Sequence, residues 1–172
     1  MEEVFLVGLD RDGTIIKDTG YLGKDDNWRE DFVIYPDAPI AIRNLKADQR
    51  SRVIVVSNQG GVARGLYTID RVHEINRAVM DGLRADGVEL DGWYFCPFID
   101  ENYIQNRGLK PTDYLQEWIG RGRKPDIDML ERAARDLGAT LDSFRGIYVV
   151  GDMSTDVQTA LNANGKGILR LR

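Results

Sequence analysis

The sequence predicts an α/β protein built on a doubly wound parallel sheet. Two observations carry this: short apolar runs that each stop abruptly at a polar or glycine-rich turn, and amphipathic helical stretches lying between them. The first run, Val4-Phe5-Leu6-Val7-Gly8-Leu9, ends at Asp10-Arg11-Asp12-Gly13. A second, Val53-Ile54-Val55-Val56, is β-branched throughout and ends at Ser57-Asn58-Gln59-Gly60-Gly61. Continuous apolar runs of this kind are interior strands covered on both faces. Weaker strands are expected at 92–96, at 146–150 before Gly151-Asp152, and at 167–170. Helical spacing places Ala38, Ala41, Ile42 and Leu45 on one stripe, and Ile69, Val72, Asn76, Val79 and Leu83 on another behind a Thr68 cap. Ile127, Leu130, Ala134 and Leu137 form a third, with Pro125 near its start and Gly138 just past its end. A short helix is expected over 154–162, ending near Gly165.

A length of 172 residues suits one domain, here 1–172, with two insertions lacking clear periodicity at about 17–32 and 97–123. Hydrophobic residues make up 42% of the chain, enough for a core. The balance of 23 lysines and arginines against 28 aspartates and glutamates leaves −5, which argues against a nucleic-acid partner, since backbone binding draws on a basic surface. No apolar stretch approaches the ~20 residues of a membrane span, and Met1-Glu2-Glu3 has the wrong charge to begin a secretory signal. A single cysteine, Cys96, forms no internal disulfide. The expectation is a cytoplasmic protein with no membrane partner.

The chemistry is concentrated where strands end, because ligands on such sheets sit beyond the carboxyl ends of the strands. Asp10 and Asp12 follow the first strand, and Asp152 follows the fourth. Carboxylates brought to one sheet edge repel, and a divalent cation relieves the repulsion; all-oxygen donors suit Mg²⁺. Ser57 and Asn58 offer a hydroxyl and loop amides to phosphate oxygens, and Lys124 supplies the positive charge that a carboxylate nucleophile needs against a phosphate dianion.

Taken together, Asp-x-Asp-Gly-Thr, Ser-Asn, Lys-Pro and Gly-Asp-x-x-x-Asp, in that order at successive strand ends, resemble the haloacid dehalogenase (HAD) superfamily of aspartyl-nucleophile phosphohydrolases. More narrowly, residues 9–14, Gly20-Tyr21, residues 57–65 and Arg123-Lys124-Pro125 are similar to the D,D-heptose 1,7-bisphosphate phosphatase and histidinol-phosphatase group, over about Val4 to Leu169. The resemblance implies a HAD-like Rossmannoid fold with a minimal cap, a monomer, and hydrolysis of a small phosphorylated sugar, with Ala63-Arg64-Gly65 leaning toward a heptose bisphosphate. It implies Asp10 as nucleophile, forming an aspartyl-phosphate, and Asp12 as the acid and base. Ser57 and Lys124 would hold the phosphate. Mg²⁺ would be bound by Asp10, the backbone carbonyl of Asp12, and Asp152, with Asp156 behind them. Asn58, Arg64 and Arg123 are expected at the substrate.

One departure stands out. Relatives carry a zinc-binding Cys-x-His followed later by Cys-x-Cys, and the corresponding positions here read Cys96-Pro97-Phe98 and Gly120-Arg121-Gly122. No zinc is therefore expected. Tyr114, Leu115, Trp118 and Ile119 would let that loop pack as a short amphipathic helix, with Arg107, Lys110, Arg121 and Arg123 turned toward a second anionic group of the substrate.

Other residues have plainer readings. His73 sits beside an apolar helical stripe as a packing or solvated residue, Cys96 is a buried inert thiol, and Trp28, Phe32 and Tyr35 pack a flap. Arg11 is expected to point away from its aspartate neighbours in a supporting salt bridge. Competing functions are a histidinol-phosphate or polynucleotide 3′-phosphatase, a receiver-type signalling module, and a catalytically silent HAD-like binding domain. The receiver reading fits poorly, because the second strand ends in Ser57 where a phosphorylated aspartate would be needed.

Overall fold

Five parallel strands form one sheet in the order β3-β2-β1-β4-β5: β1 (Phe5–Leu9), β2 (Ser51–Asn58), β3 (Gly92–Cys96), β4 (Gly146–Gly151) and β5 (Lys166–Leu169). The structure is a computed structural model and describes residues 4–99, 105, 106, 108 and 122–171. Four helices connect the strands among the described residues: α1 (Ala38–Ala47), α2 (Ile69–Ala85), α3 (Asp128–Asp136) and α4 (Ser154–Asn162). The expected loop helix around Trp118 lies outside the described residues, as do Arg107, Lys110 and Arg121.

Strand alternation divides the core into two layers. Val7, Leu9, Val53 and Val55 face α1 and α2 through Ile42, Ile75, Val79 and Leu83. Leu6, Ile54, Val56, Ile147 and Val149 face the other way, onto Met129, Leu130 and Ala133 of α3 and Ala160 of α4. Both faces are therefore covered, which is why β1 and β2 read as unbroken apolar runs. The expected helical stripes pack as drawn, except that Ala41 is exposed while Pro39 beside it is buried. Thr68 caps α2, its hydroxyl accepting from the Arg71 amide at 3.2 Å.

The order of strand addition reverses between β1 and β4, the topological switch point of a doubly wound sheet. Phe5 to Leu9 lie in register with Gly146 to Val150, so the ends of β1 and β4 fall at one level. The Asp10 amide continues the ladder by donating to the Val150 carbonyl at 2.9 Å. Leu9 lies opposite Val55, so β2 runs on past the end of β1 and carries Ser57 and Asn58 to the same rim.

The first insertion folds back on its own base. Lys17 and Tyr35 amides donate to the Val33 and Ile15 carbonyls, both at 2.9 Å, and a short 3-10 turn, Trp28–Glu30, buries Trp28 against the α1 and α2 layer. Trp28 and Phe32 meet edge to face at 5.8 Å, the packing role expected for this segment. Arg71 of α2 tethers the flap by donating to the Asp25 carbonyl at 3.1 Å and to Asp26 Oδ1 at 3.0 Å.

Candidate active site

The loop after β1 turns at once because Gly13 has φ +80, a left-handed conformation that a side chain resists. It also has no room for one: a Cβ there would lie 2.1 Å from Asp152 Oδ2. That close approach brings the loop after β4 against the loop after β1. Oxygens of Asp10, Asp152 and Asp156 consequently lie within 4.8 Å of one another.

Lys124 enters this cluster from the chain ahead of α3. Its Nζ donates to Asp10 Oδ1 at 2.8 Å and to Asp156 Oδ1 at 2.5 Å. Lys124 is 3% and Asp156 0% exposed, so the ion pairs are shielded from solvent. Asp156 is held in turn by the start of α4, where its second oxygen accepts from the Met153 amide at 3.0 Å. Both its oxygens are thus engaged, one in positioning Lys124 and one in capping a helix. Asn58 grips the Lys124 main chain from the other side, accepting from its amide at 2.9 Å and donating to its carbonyl at 3.2 Å. Asn58 also lines the pocket at this rim, with its side-chain amide bonded to the Lys124 main chain.

Electrostatics follow from one ammonium among several carboxylates. Burial pushes the Asp10 carboxyl up to about 7; Lys124 pulls it down, while Asp156 and Asp12 push it further up. Burial opposes the charge on Lys124, but Asp10 and Asp156 outweigh it and hold the ammonium above its ordinary value. Surplus negative charge, hard oxygen donors and a cradle that any Cβ on Gly13 would fill fit a divalent cation such as Mg²⁺.

Asp12 lines the same site and is held by its own set of donors. Arg11 forks onto it, Nη2 reaching Oδ2 at 3.0 Å and Oδ1 at 3.2 Å, with Nε at 3.2 Å from Oδ2. The expectation that Arg11 turns away from its aspartate neighbours is therefore wrong, although a salt bridge forms as anticipated. The reason lies in the third dimension: Asn76 of α2 accepts from Arg11 Nη1 at 2.7 Å and draws the guanidinium, 1% exposed, beneath the loop. Gln59 reaches Asp12 Oδ2 at 2.7 Å and Ser57 Oγ at 2.8 Å, and Tyr67 donates to Gln59 Oε1 at 3.0 Å. Gln59 and Tyr67 escaped the sequence reading, though Gln59 lies inside the quoted second motif.

These groups open onto a pocket of about 510 Å³. It is lined by Asp10, Asp12, Lys124 and Asp152, by Asp18 and Tyr21 of the flap, and by Arg64, Tyr67 and Arg123. The two arginines converge, because a Cβ on Gly60 would lie 2.7 Å from Arg64 Nη1 and 3.1 Å from Arg123 Nη1. Arg64 also lies over the Tyr21 ring at 5.6 Å, and Arg123 donates to the Phe98 carbonyl at 3.2 Å. Cys96 and Phe98 are packed in the α3 layer, and burial pushes the Cys96 thiol up to about 11. His73 is exposed, its ring 5.4 Å from Phe95.

Residues 122–172 match the HAD-hydrolase-like family. Over 164 residues the chain is 37% identical to the D-glycero-D-manno-heptose-1,7-bisphosphate 7-phosphatase of Thermosynechococcus vestitus, spanning 95% of this chain and 76% of that protein. The chain belongs to the HAD-like phosphatase family. Another relative within it is the D-glycero-beta-D-manno-heptose-1,7-bisphosphate 7-phosphatase of Escherichia coli K12, 34% identical over 157 residues, 91% of this chain and 73% of that one. The fold of this HAD-like phosphatase is similar to that of the D,D-heptose 1,7-bisphosphate phosphatase from B. bronchiseptica, solved with magnesium and phosphate. The TM-score is 0.71 at 27% identity, covering 95% of this chain and 79% of that one. Among the described residues no helix is long and apolar enough to cross a membrane.

Proposed function

We propose that this HAD-like phosphatase hydrolyses a phosphomonoester of a small sugar bisphosphate, resembling D,D-heptose 1,7-bisphosphate, through an aspartyl-phosphate on Asp10, as a cytoplasmic monomer. The observation that supports this best is the buried Lys124 ammonium bridging Asp10 and Asp156, at the switch point of the sheet and beside Asp12. Asp10, Asp152 and the Asp12 carbonyl would hold Mg²⁺, which when bound supplies positive charge against the phosphoryl oxygens and keeps Asp10 ionised.

An Asp10 oxygen attacks phosphorus as the bond to the leaving alcohol breaks, and Asp12 gives that alcohol its proton. Water then attacks phosphorus while Asp12 takes its proton, and the bond to Asp10 breaks to release phosphate. Lys124 faces the phosphoryl oxygens in both steps and needs no rearrangement between them, because Asp156 and Asn58 hold its two ends. Ser57, 2% exposed at the end of β2, contributes its hydroxyl to the same oxygens. Arg64 and Arg123 receive the second phosphate, the planar guanidinium suiting bidentate anion recognition.

The test is phosphate release from heptose and hexose bisphosphates, histidinol phosphate and a 3′-phosphorylated oligonucleotide, with and without Mg²⁺, alongside Asp10→Asn. Turnover of a bisphosphate that requires both Mg²⁺ and Asp10 is expected. Preference for histidinol phosphate or the oligonucleotide would overturn the substrate, and turnover surviving Asp10→Asn would overturn the mechanism.

A further inference from the structure

We infer that Arg11 and Gln59 hold the Asp12 carboxylate in one orientation, so that Oδ1 is the oxygen that exchanges the proton, and that Tyr67 anchors Gln59 in place. The inference rests on the acid–base role proposed above for Asp12 and adds to it a stated atom and three positioning residues.

Hydrogen bonds to the two carboxylate oxygens are unequal. Asp12 Oδ2 accepts from Gln59 Nε2 at 2.7 Å, Arg11 Nη2 at 3.0 Å and Arg11 Nε at 3.2 Å, with Ser57 Oγ more distant at 3.4 Å. Among the described residues, Oδ1 accepts only from Arg11 Nη2, at 3.2 Å. An oxygen facing an amide and a guanidinium has its lone pairs occupied by donors that cannot turn into acceptors. A proton placed on Oδ2 would confront those N–H groups, whereas Oδ1, with a single long contact to Arg11, keeps a lone pair for it. Asp12 lines the pocket, with a quarter of its side chain exposed.

Both donors are themselves fixed. Arg11 is anchored through Nη1 to Asn76 Oδ1 on α2, across 65 residues of chain and away from water. The Gln59 amide faces Asp12 through Nε2, because Oε1 turned that way would meet an acceptor-only carboxylate oxygen. The Tyr67 hydroxyl donates to Oε1 and anchors the far end of that amide. Burial pushes the Tyr67 phenol up to about 12, which keeps its proton in place as a donor. The ring reaches Gln59 only because residue 61 is glycine: a Cβ there would lie 2.3 Å from Tyr67 Cζ. A chain of side chains from α2 and from the loop after β2 thus converges on one oxygen of one carboxylate.

In the first half-reaction the proton on Oδ1 passes to the alcohol oxygen as its bond to phosphorus breaks and the Asp10–phosphorus bond forms. In the second, water returns a proton to Oδ1 while its oxygen bonds to phosphorus and Asp10 is released. Proton donation matters for a sugar alkoxide and hardly at all for p-nitrophenolate, which leaves unaided. The experiment measures kcat/KM of wild type, Tyr67→Phe and Gln59→Leu with Mg²⁺ on a sugar phosphate and on p-nitrophenyl phosphate. Crystal structures of both variants are determined alongside.

For the sugar phosphate we expect a fall of about tenfold in Tyr67→Phe and about 100-fold in Gln59→Leu, and for the aryl phosphate less than about threefold in either. The Asp12 carboxyl should be rotated in the Gln59→Leu crystal. Equal losses on both substrates, no loss on the sugar phosphate, or an unrotated Asp12 would each overturn the inference. Wild-type enzyme inactive on both substrates would instead overturn the phosphatase reading, and the Asp12 orientation in the two crystals would still decide the clamp.

Discussion

Lys124 Nζ donates to Asp156 Oδ1 across 32 residues of chain, and neither group sees solvent. Breaking one member of such a buried pair leaves the other uncompensated, which costs far more than the pair contributes. Asp156→Ala is expected to lose about 3 kcal/mol of stability and to lower Tm by about 6–12 °C. Asp156→Asn, which can still accept from the Met153 amide, should lose less. Thermal melts of both proteins check this, and a shift below about 2 °C for Asp156→Ala would contradict it.

Stability without metal should depend on the charge of Asp10. Its carboxyl is raised to about 7 by burial, so the folded chain keeps a proton that the unfolded chain, at about 3.8, gives up. The contribution of the protonated form is complete below the unfolded value and is lost as pH rises through the folded one. Asp10→Asn is neutral at every pH and lacks this loss. The Tm of Asp10→Asn minus that of wild type, measured in a chelator, should therefore grow between about pH 5 and pH 8. A pH-independent difference would rule out burial of the charge as its cause.

Gly13→Ala should separate metal binding from folding. The added Cβ meets Asp152 Oδ2 at 2.1 Å and must also accept φ +80. Displacing a ligand side chain in this way is expected to weaken Mg²⁺ binding by about 10–100-fold in calorimetric titration. Unchanged affinity would mean that Asp152 does not hold the ion.

Arg64 and Arg123 converge beside Gly60, where they can share one anion. Arg64→Ala with Arg123→Ala should lower kcat/KM for a sugar bisphosphate by about 100-fold or more, at about 1.5–3 kcal/mol for each charge-assisted contact. A monophosphate of the same sugar should change by less than about threefold. Equal loss on both would remove these arginines from second-phosphate recognition.

How far the sequence could be read depended on whether a residue's role is local. The unbroken run Val53 to Val56 and the helical stripe from Val72 to Leu83 are local patterns, so strands and helices were legible along the chain. Asp10, Asp12 and Asp152 were legible because strand ends of a parallel sheet share one edge. Arg11 was misjudged because what turns its guanidinium onto Asp12 is Asn76, which sequence reading assigned only to a helical stripe. The hold of Asn58 on the Lys124 main chain was not legible, because the two residues lie 66 positions apart.

By itself the sequence determined the α/β alternation, the acidic rim at the strand ends, and the single cysteine that excludes a four-thiolate metal site. These follow from composition and from periods of two and 3.6 residues, which act over a few positions. Only the tertiary structure decided which side chains hold which: Asp156 on Lys124, Asn58 on the Lys124 backbone, and Tyr67 through Gln59 on Asp12. Those choices depend on strand register and on the close approach that Gly13 and Gly61 allow, set by packing between segments distant along the chain.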